Sequence, residues 1–311
     1  MRTAGIHHVT AMASDAQANR DFYEGVLGLR LVKQTVNFDD PGTYHLYYGD
    51  ALGNPGTILT FFPIPGLSAG QPGAGTTDAV VLAVPVGSLG AWQERLSEVQ
   101  VASALAGSDD DRRVLAFSDP DGMGIELIES ERIVSPSPWS GGVASEHAIQ
   151  GVAGVRLASR NSEATHQALQ TWLGLEQEAS GVFRATERLG GQVSVRDASD
   201  EPRVRLGAGS VHHIAFRTSG AEEQRQWGDH LRRTGANPTS VQDRDYFTSI
   251  YFREPGGVLL ELATDGPGFT RDEPAEELGS ALHLPAWLAQ HRARIEEVLP
   301  PLLPSTHGVL T

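Results

Sequence analysis

Two adjacent-histidine pairs stand in strand-like surroundings, His7-His8 within Ile6-His7-His8-Val9-Thr10 and His212-His213 within Val211-His212-His213-Ile214-Ala215-Phe216. A third segment, Gly256-Gly257-Val258-Leu259-Leu260-Glu261, places a carboxylate in an otherwise apolar run. Two imidazoles and one carboxylate form the ligand set of non-haem iron oxygenases, which leaves coordination positions open for small molecules. Mn(II) suits the same nitrogen and oxygen donors. A lone histidine in a strand is ordinarily a packed or surface residue. Two pairs at equivalent places of a repeat, with a glutamate closing one of the units, favour metal binding instead.

The elements that must position these residues repeat along the chain. Gly5–Ala13 reads as a strand, Asp15–Tyr23 as a polar helix with an aromatic face, and Leu27-Gly28-Leu29 as its end, Gly28 suiting a helix C-terminus. Strand-like runs follow at Arg30–Asn37, Tyr44–Tyr48 and Thr57–Phe62, giving β-α-β-β-β. Gly151–Ala158, Ser162–Trp172 and Leu173-Gly174-Leu175 repeat that opening. His8 to Gly28 is 28 − 8 = 20 residues, and Gly154 to Gly174 is 174 − 154 = 20. The second and fourth units share their endings, Phe117-Ser118-Asp119-Pro120-Asp121-Gly122 against Phe252-Arg253-Glu254-Pro255-Gly256-Gly257. In both, a Pro-and-Gly turn joins two strands, and a glutamate falls six residues after the proline: 126 − 120 = 6 for Glu126 and 261 − 255 = 6 for Glu261.

Four βαβββ modules imply an α+β fold of two paired, open β-barrel-like domains with a C-terminal helical tail. The proline- and glycine-containing stretch Ile133–Glu146 divides residues 1–140, holding modules one and two, from residues 141–270, holding modules three and four. The tail, 271–311, carries one more amphipathic helix at about Pro285–Val298 and is expected to serve packing or an oligomer contact.

At 311 residues and 40% hydrophobic content the chain can bury two sizeable cores. A net charge of −15 argues against nucleic acid or a membrane surface as partner, since either needs a basic face. No run approaches the apolar length of a membrane span, and the first residues lead into a strand without a signal-peptide core, so a cytoplasmic protein is expected. The absence of cysteine excludes disulfides, zinc–thiolate sites and cysteine nucleophiles.

Strand side chains alternate between faces, so adjacent histidines point opposite ways. His8 shares a face with Thr10 and His213 with Ala215, leaving His7 and His212 on the other face. Aligning the modules sets Gly154 against His8, Ala79 against His213, and Glu126 against Glu261. Modules two and three have thus lost both histidines, and Glu126 is expected to be a solvated or salt-bridged carboxylate. One metal per chain is expected, with His8 brought across roughly two hundred residues to His213 and Glu261. Where a fourth ligand would sit, the last strand of module one offers Thr60 or Phe61, neither a usual ligand.

The pattern resembles the vicinal-oxygen-chelate superfamily of glyoxalases, bleomycin-resistance proteins and extradiol dioxygenases, and most of all its branch of p-hydroquinone ring-cleaving dioxygenases. The stretches carrying the resemblance are His7-His8-Val9-Thr10, Tyr44-His45-Leu46-Tyr47-Tyr48, Pro55 to Pro63, Glu146-His147-Ala148, Val211-His212-His213, Arg244-Asp245-Tyr246-Phe247, Tyr251 to Glu261, and Gly268-Phe269-Thr270. The resemblance implies His8, His213 and Glu261 as iron ligands, with His7, Thr10, His212, Arg244 and Tyr251 as the catalytic residues around them. It implies an Fe(II)-dependent extradiol-type dioxygenase that opens a hydroxylated aromatic ring with O2, in a homodimer. His212 and Tyr251 would handle protons, and Arg244 would stabilise the phenolate. Without the resemblance, Arg244 would read as a surface ion pair with Asp243 or Asp245; Tyr44, Tyr47, Tyr48 and Phe61 read first as core aromatics, some of them able to line the ring pocket. The competing readings are a glyoxalase-like isomerase or lyase using Ni(II), Co(II) or Zn(II), and a metal-free protein that binds aromatics. If His7 and His212 also reach the site, their strands must bulge.

Overall fold

Alternating apolar positions give sixteen strands among the described residues, with a two-residue turn joining Arg30–Asn37 to Asp40–Gly49 and Pro-Gly turns closing the hairpins at Pro120 and Pro255. The computed structural model describes residues 1–107, 113–179, 181–185 and 190–305. The first module runs β1 (Ile6–Ala13), α1 (Ala16–Arg20), β2 (Arg30–Asn37), β3 (Asp40–Gly49) and β4 (Ile58–Pro63). The second is β5 (Thr76–Val84), α2 (Leu89–Glu98), β6 (Ser103–Gly107), β7 (Arg113–Ser118) and β8 (Gly124–Glu129). The third is β9 (Gly151–Ser159), α3 (Ser162–Leu173), β10 (Glu176–Ala179), β11 (Val182–Arg184) and β12 (Gln192–Asp197). The fourth is β13 (Val211–Thr218), α4 (Ala221–Arg233), β14 (Gln242–Asp243), β15 (Thr248–Arg253) and β16 (Leu259–Thr264). The tail adds α5 (Arg292–Val298).

The fold is α+β, with two eight-stranded sheets, and each sheet draws on both halves of the chain. One runs β14-β15-β16-β13-β1-β4-β3-β2, joining the fourth module to the first, and the other runs β10-β11-β12-β9-β5-β8-β7-β6, joining the third to the second. In each sheet the opening strands of two modules pair antiparallel at the centre, β1 with β13 and β5 with β9. Each opening strand also pairs parallel with the last strand of its own module. Both faces of these central strands are covered, so they read as apolar runs into which only a few polar side chains intrude.

The first helix is shorter than its sequence suggests. Asp15 caps it by accepting from Ala18 N at 2.7 Å, but after Arg20 the chain continues as a π-helical turn, Asp21–Val26. That turn sends Tyr23 into the core, where its hydroxyl donates to Asp119 Oδ2 of the second module at 3.0 Å. Gly28 follows with φ of 69°, the left-handed conformation a helix end requires. The tail helix is also shorter than expected, with Ala289–His291 forming a 3-10 turn before α5. The tail lies on the first module. Lys33 pairs with Asp272 (2.6 Å) and Glu273, Trp287 packs on Phe38 at 5.4 Å, and Tyr44 donates to Pro300 O at 3.0 Å. Residues 306–311 of the tail lie outside the described residues.

Candidate metal centre

Register decides what the two histidine pairs do. Across β1 and β13, Ile6 faces Phe216 and His8 faces Ala215, so His7 is one residue in excess on β1. Further along, Thr10 faces His213 while Ala11 faces Val211, which makes His212 the excess residue on β13. Each pair therefore sits on a β-bulge, where strict alternation fails and the strand is re-aimed. The reading of His212 as lying on the strand face opposite His213 is corrected by its bulge, while His7 stays on the far side of His8. His212 lines the same cavity as His213, whereas His7 lines a smaller recess behind His8 with Leu52, Asn54 and Phe269.

His8, His213 and Glu261 converge. His213 Nε2 lies 2.9 Å and His8 Nε2 3.5 Å from Glu261 Oε2, and the two imidazole nitrogens are 3.3 Å apart. Donor atoms bound at about 2.1 Å to one ion, at right angles, stand about 3 Å apart. All three residues are buried, Glu261 completely. Its Oε1 accepts from Ser249 Oγ, while Oε2 has no hydrogen-bond partner among the described residues. A carboxylate oxygen left without a donor in a dry interior is costly, so the orphaned Oε2 between two imidazoles fits a divalent cation. Burial pushes the Glu261 carboxyl up, but His8 and His213 outweigh it and hold the group well below the usual carboxylate range.

Each imidazole of the triad is braced at its far nitrogen by the histidine beside it. His7 Nδ1 lies 3.0 Å from His8 Nδ1, and His212 Nδ1 lies 2.8 Å from His213 Nδ1. Such contacts fix the ring and its tautomer, leaving Nε2 free to ligate. Burial, followed by the neighbouring ligand imidazole, depresses His7 well below the usual histidine range and brings His212 to about 4, so both rings are neutral near pH 7. The Phe247 ring packs on both His7 and His8, at 5.2 and 5.1 Å.

The cavity in front of the centre has a volume of about 540 Å³. His8, His45, Tyr47, His212, His213, Arg244 and Tyr251 line it with Asn37, Asp39, Thr239 and Gln242, and Met12, Phe38, Phe62, Ile64, Phe247 and Leu259 supply its apolar part. Arg244 Nε donates to Tyr251 Oη at 3.1 Å, and its Nη1 lies 3.3 Å from Asp39 Oδ2. The expected alternative partners are otherwise placed: Asp245 pairs with Arg271, and Asp243 accepts from Asp245 N at 2.8 Å. Asp245 has φ of 68°, a left-handed turn that an aspartate tolerates, and Arg244 and Phe247 line the cavity on either side of it. Thr10 is buried beside the centre, 3.3 Å from Thr60, and does not line the cavity.

Sequence reasoning missed Ser249, His45 and Phe247 as site residues, and of the four aromatics it offered for the core or the ring pocket, Tyr47 lines the cavity. The modules held a signal for two of them. Tyr47 faces Thr60 across β3 and β4 as Tyr251 faces Glu261 across β15 and β16, which makes His45 the counterpart of Ser249. Thr60 is then the counterpart of Glu261. Its hydroxyl is engaged by His45 Nε2 and Thr10, so the fourth-ligand position holds no donor aimed at an ion. Tyr44, Tyr48 and Phe61 are core residues.

Two eight-stranded sheets built from βαβββ modules, with a buried His-His-Glu group that could hold a metal ion at the junction of two modules, define the glyoxalase type of fold. The chain belongs to the Glyoxalase/Bleomycin resistance protein/Dioxygenase superfamily, whose sequence model matches residues 5–127 and 139–262. It is 43% identical over 310 residues to the Bacillus subtilis (strain 168) protein named "Putative ring-cleaving dioxygenase MhqE", covering 97% of this chain and 100% of that one. It is 36% identical over 291 residues to the "Chlorohydroquinone/hydroquinone 1,2-dioxygenase" of Sphingobium indicum, covering 90% of each. A crystal structure of a "putative dioxygenase" from Bacillus subtilis superposes with a TM-score of 0.92 at 41% identity, over 97% of this chain and 98% of that one. Glyoxalase I from Zea mays shares the fold, with a TM-score of 0.60 at 13% identity over 84% of this chain and 92% of that one.

Proposed function

We propose that the chain is a ring-cleaving dioxygenase that opens a hydroxylated aromatic ring, a p-hydroquinone, with O2, and that His8, His213 and Glu261 hold Fe(II). The observation carrying this reading is the buried triad with its orphaned Glu261 Oε2 at the floor of an aromatic-lined cavity. The relatives named for ring cleavage and for hydroquinone support the reaction class. Bound there, Fe(II) would supply Lewis acidity and the one-electron chemistry that dioxygen requires. Mn(II) satisfies the same donors.

The protein's part follows from its hydrogen bonds. Arg244 donates to Tyr251 Oη, so the phenol oxygen accepts there and its own hydrogen remains to be donated, to Ser249 or to a ligand in the cavity. Burial, followed by the Glu261 charge, raises the Tyr251 phenol, so it stays protonated. If His213 keeps its proton on Nδ1 and donates it to His212 Nδ1, His212 carries its own proton on Nε2 and is a second donor. Arg244 adds positive charge where a ring oxygen becomes an oxyanion. The apolar wall of Met12, Phe62 and Ile64 orients the ring and excludes water.

The test is oxygen uptake by protein loaded with Fe(II) under anaerobic conditions and then mixed with a panel of hydroquinones and catechols. Stoichiometric O2 consumption with hydroquinones is expected, and no uptake across the panel would sink the reading. Thr60 weighs against a four-ligand glyoxalase-like centre, and a metal-free binding protein would not gather these three residues. Retention of one metal per chain by wild type and its loss in His8→Ala separates the enzyme from the latter.

A further inference from the structure

Two of the polar side chains lining the cavity, His45 and Tyr47, belong neither to the metal centre nor to the Arg244–Tyr251 pair. His45 and Tyr47 stand two residues apart on β3 and share the strand face that looks into the cavity. By register they are the counterparts of Ser249 and Tyr251 on β15. The cavity thus has two matching walls with different chemistry. On the fourth module's wall the tyrosine leans on a guanidinium, while on the first module's wall it leans on an imidazole.

Both nitrogens of His45 are engaged. Nδ1 lies 2.8 Å from Tyr47 Oη, and Nε2 meets Thr60 Oγ1. A phenol has one hydrogen and two lone pairs, and the imidazole uses one of these on Tyr47. If Tyr47 donates to His45, it keeps lone pairs for a ligand; if His45 donates, Tyr47 keeps its hydrogen. A group that can present either is suited to a partner that is itself a hydroxyl. Burial lowers His45 well below the usual histidine range and raises the Tyr47 phenol, so this wall is neutral where the Arg244 wall is charged. A neutral wall matches a neutral hydroxyl, and a cationic wall matches an oxyanion.

We propose that the Tyr47 hydroxyl, positioned by His45, binds the ring hydroxyl that is not held at the metal centre, and so makes the site select dihydroxylated over monohydroxylated rings. This rests on the reading of the ligand as a hydroxylated aromatic. Tyr47 is the contact residue, and His45 is a positioning residue acting through it.

The test uses the full chain loaded with Zn(II), which does not consume the ring, titrated calorimetrically with hydroquinone and with 4-methylphenol. In the latter a methyl group replaces the second hydroxyl at nearly constant shape. Wild type should prefer hydroquinone about tenfold, the worth of one hydrogen bond. Tyr47→Phe keeps the ring packed on Phe269, 5.1 Å away. It should shrink the preference below about twofold and leave 4-methylphenol affinity unchanged. His45→Leu should lower the preference, and His45→Asn, which keeps a polar atom near the Nδ1 position, should recover part of it. An unchanged preference in Tyr47→Phe, or equal weakening of both ligands, overturns the inference while the hydroxylated-aromatic reading stands. If wild type binds neither phenol, that reading falls and the inference with it. Should Tyr47→Phe not fold, His45→Leu decides alone, and a wild-type preference there overturns the proposal.

Discussion

The two sheets share one backbone plan, yet among the described residues only one of them gathers three side chains that could hold a metal. Across β5 and β9 Ala79 faces Arg156, as His213 faces Thr10 in the first sheet, and Val81 faces Glu126, as Ala215 faces Glu261. Both bulges recur, with Asp78 and Ala153 as the excess residues where His212 and His7 stand. The bulged geometry therefore does not depend on a metal centre; it belongs to the pairing of two opening strands. The sheets differ in side chains. Ala79 and Gly154 replace the histidines, and Arg156 reaches Glu126 and neutralises it. Glu126 is consequently buried and ion-paired, not solvated. Gly154 also packs too tightly for any replacement, since a Cβ there would lie 2.3 Å from Gln192 O. A guanidinium has taken the role in the second sheet that a cation is expected to play in the first.

Glu261→Gln gives the largest expected effect, because it removes the negative charge that offsets the cation. Metal content by elemental analysis should fall from about one per chain to background, and oxygen uptake with it, while Glu126→Gln should leave both unchanged. A loss of metal in Glu126→Gln would break the comparison. Ser249→Ala frees Glu261 Oε1 without touching a ligand, and should weaken metal affinity about tenfold in a competition titration with a chelator.

Arg156→Ala strands Glu126 in the second sheet. The arginine is about a third exposed (35%), so water screens part of the pair, and the expected cost is about 1–2 kcal/mol in urea unfolding, with metal content intact. Stability unchanged in that variant would mean that Glu126 is solvated after all. The smallest effect concerns Asp119, which meets Tyr23 of the first module. Burial raises its carboxyl to about 6, despite hydrogen bonds that pull the other way. The raised value means that the folded state binds the proton more tightly than the unfolded chain. The stabilisation is therefore fully present below the ordinary carboxyl range and is lost as pH rises through about 6. Comparing wild type with Asp119→Asn, the wild-type unfolding free energy should fall more steeply between pH 4 and 6, by an amount on the order of 1 kcal/mol in urea titrations. Parallel curves would refute this.

Much of this was legible in the chain before folding. Period-two alternation, the Pro-Gly hairpins and the twenty-residue spacing from His8 to Gly28 are local signals, so the modules and their order could be read directly. The triad could be read as well, because chemically unusual residues at equivalent module positions stand out against apolar strands. The first helix was read too long, since the π-helical turn at Asp21–Val26 follows from packing Tyr23 into the core.

What the sequence alone determined is which residues hold the donors, His8, His213 and Glu261, and that modules two and three lack the set. The tertiary structure decided that the fourth module lies beside the first, that a bulge brings His212 into the cavity and leaves His7 behind His8, that Arg156 fills the second site, and that His45 and Tyr47 form a wall. The reason is physical. Residue type and alternation are properties of one strand, whereas register, bulges and cavity walls exist only once strands some two hundred residues apart have paired.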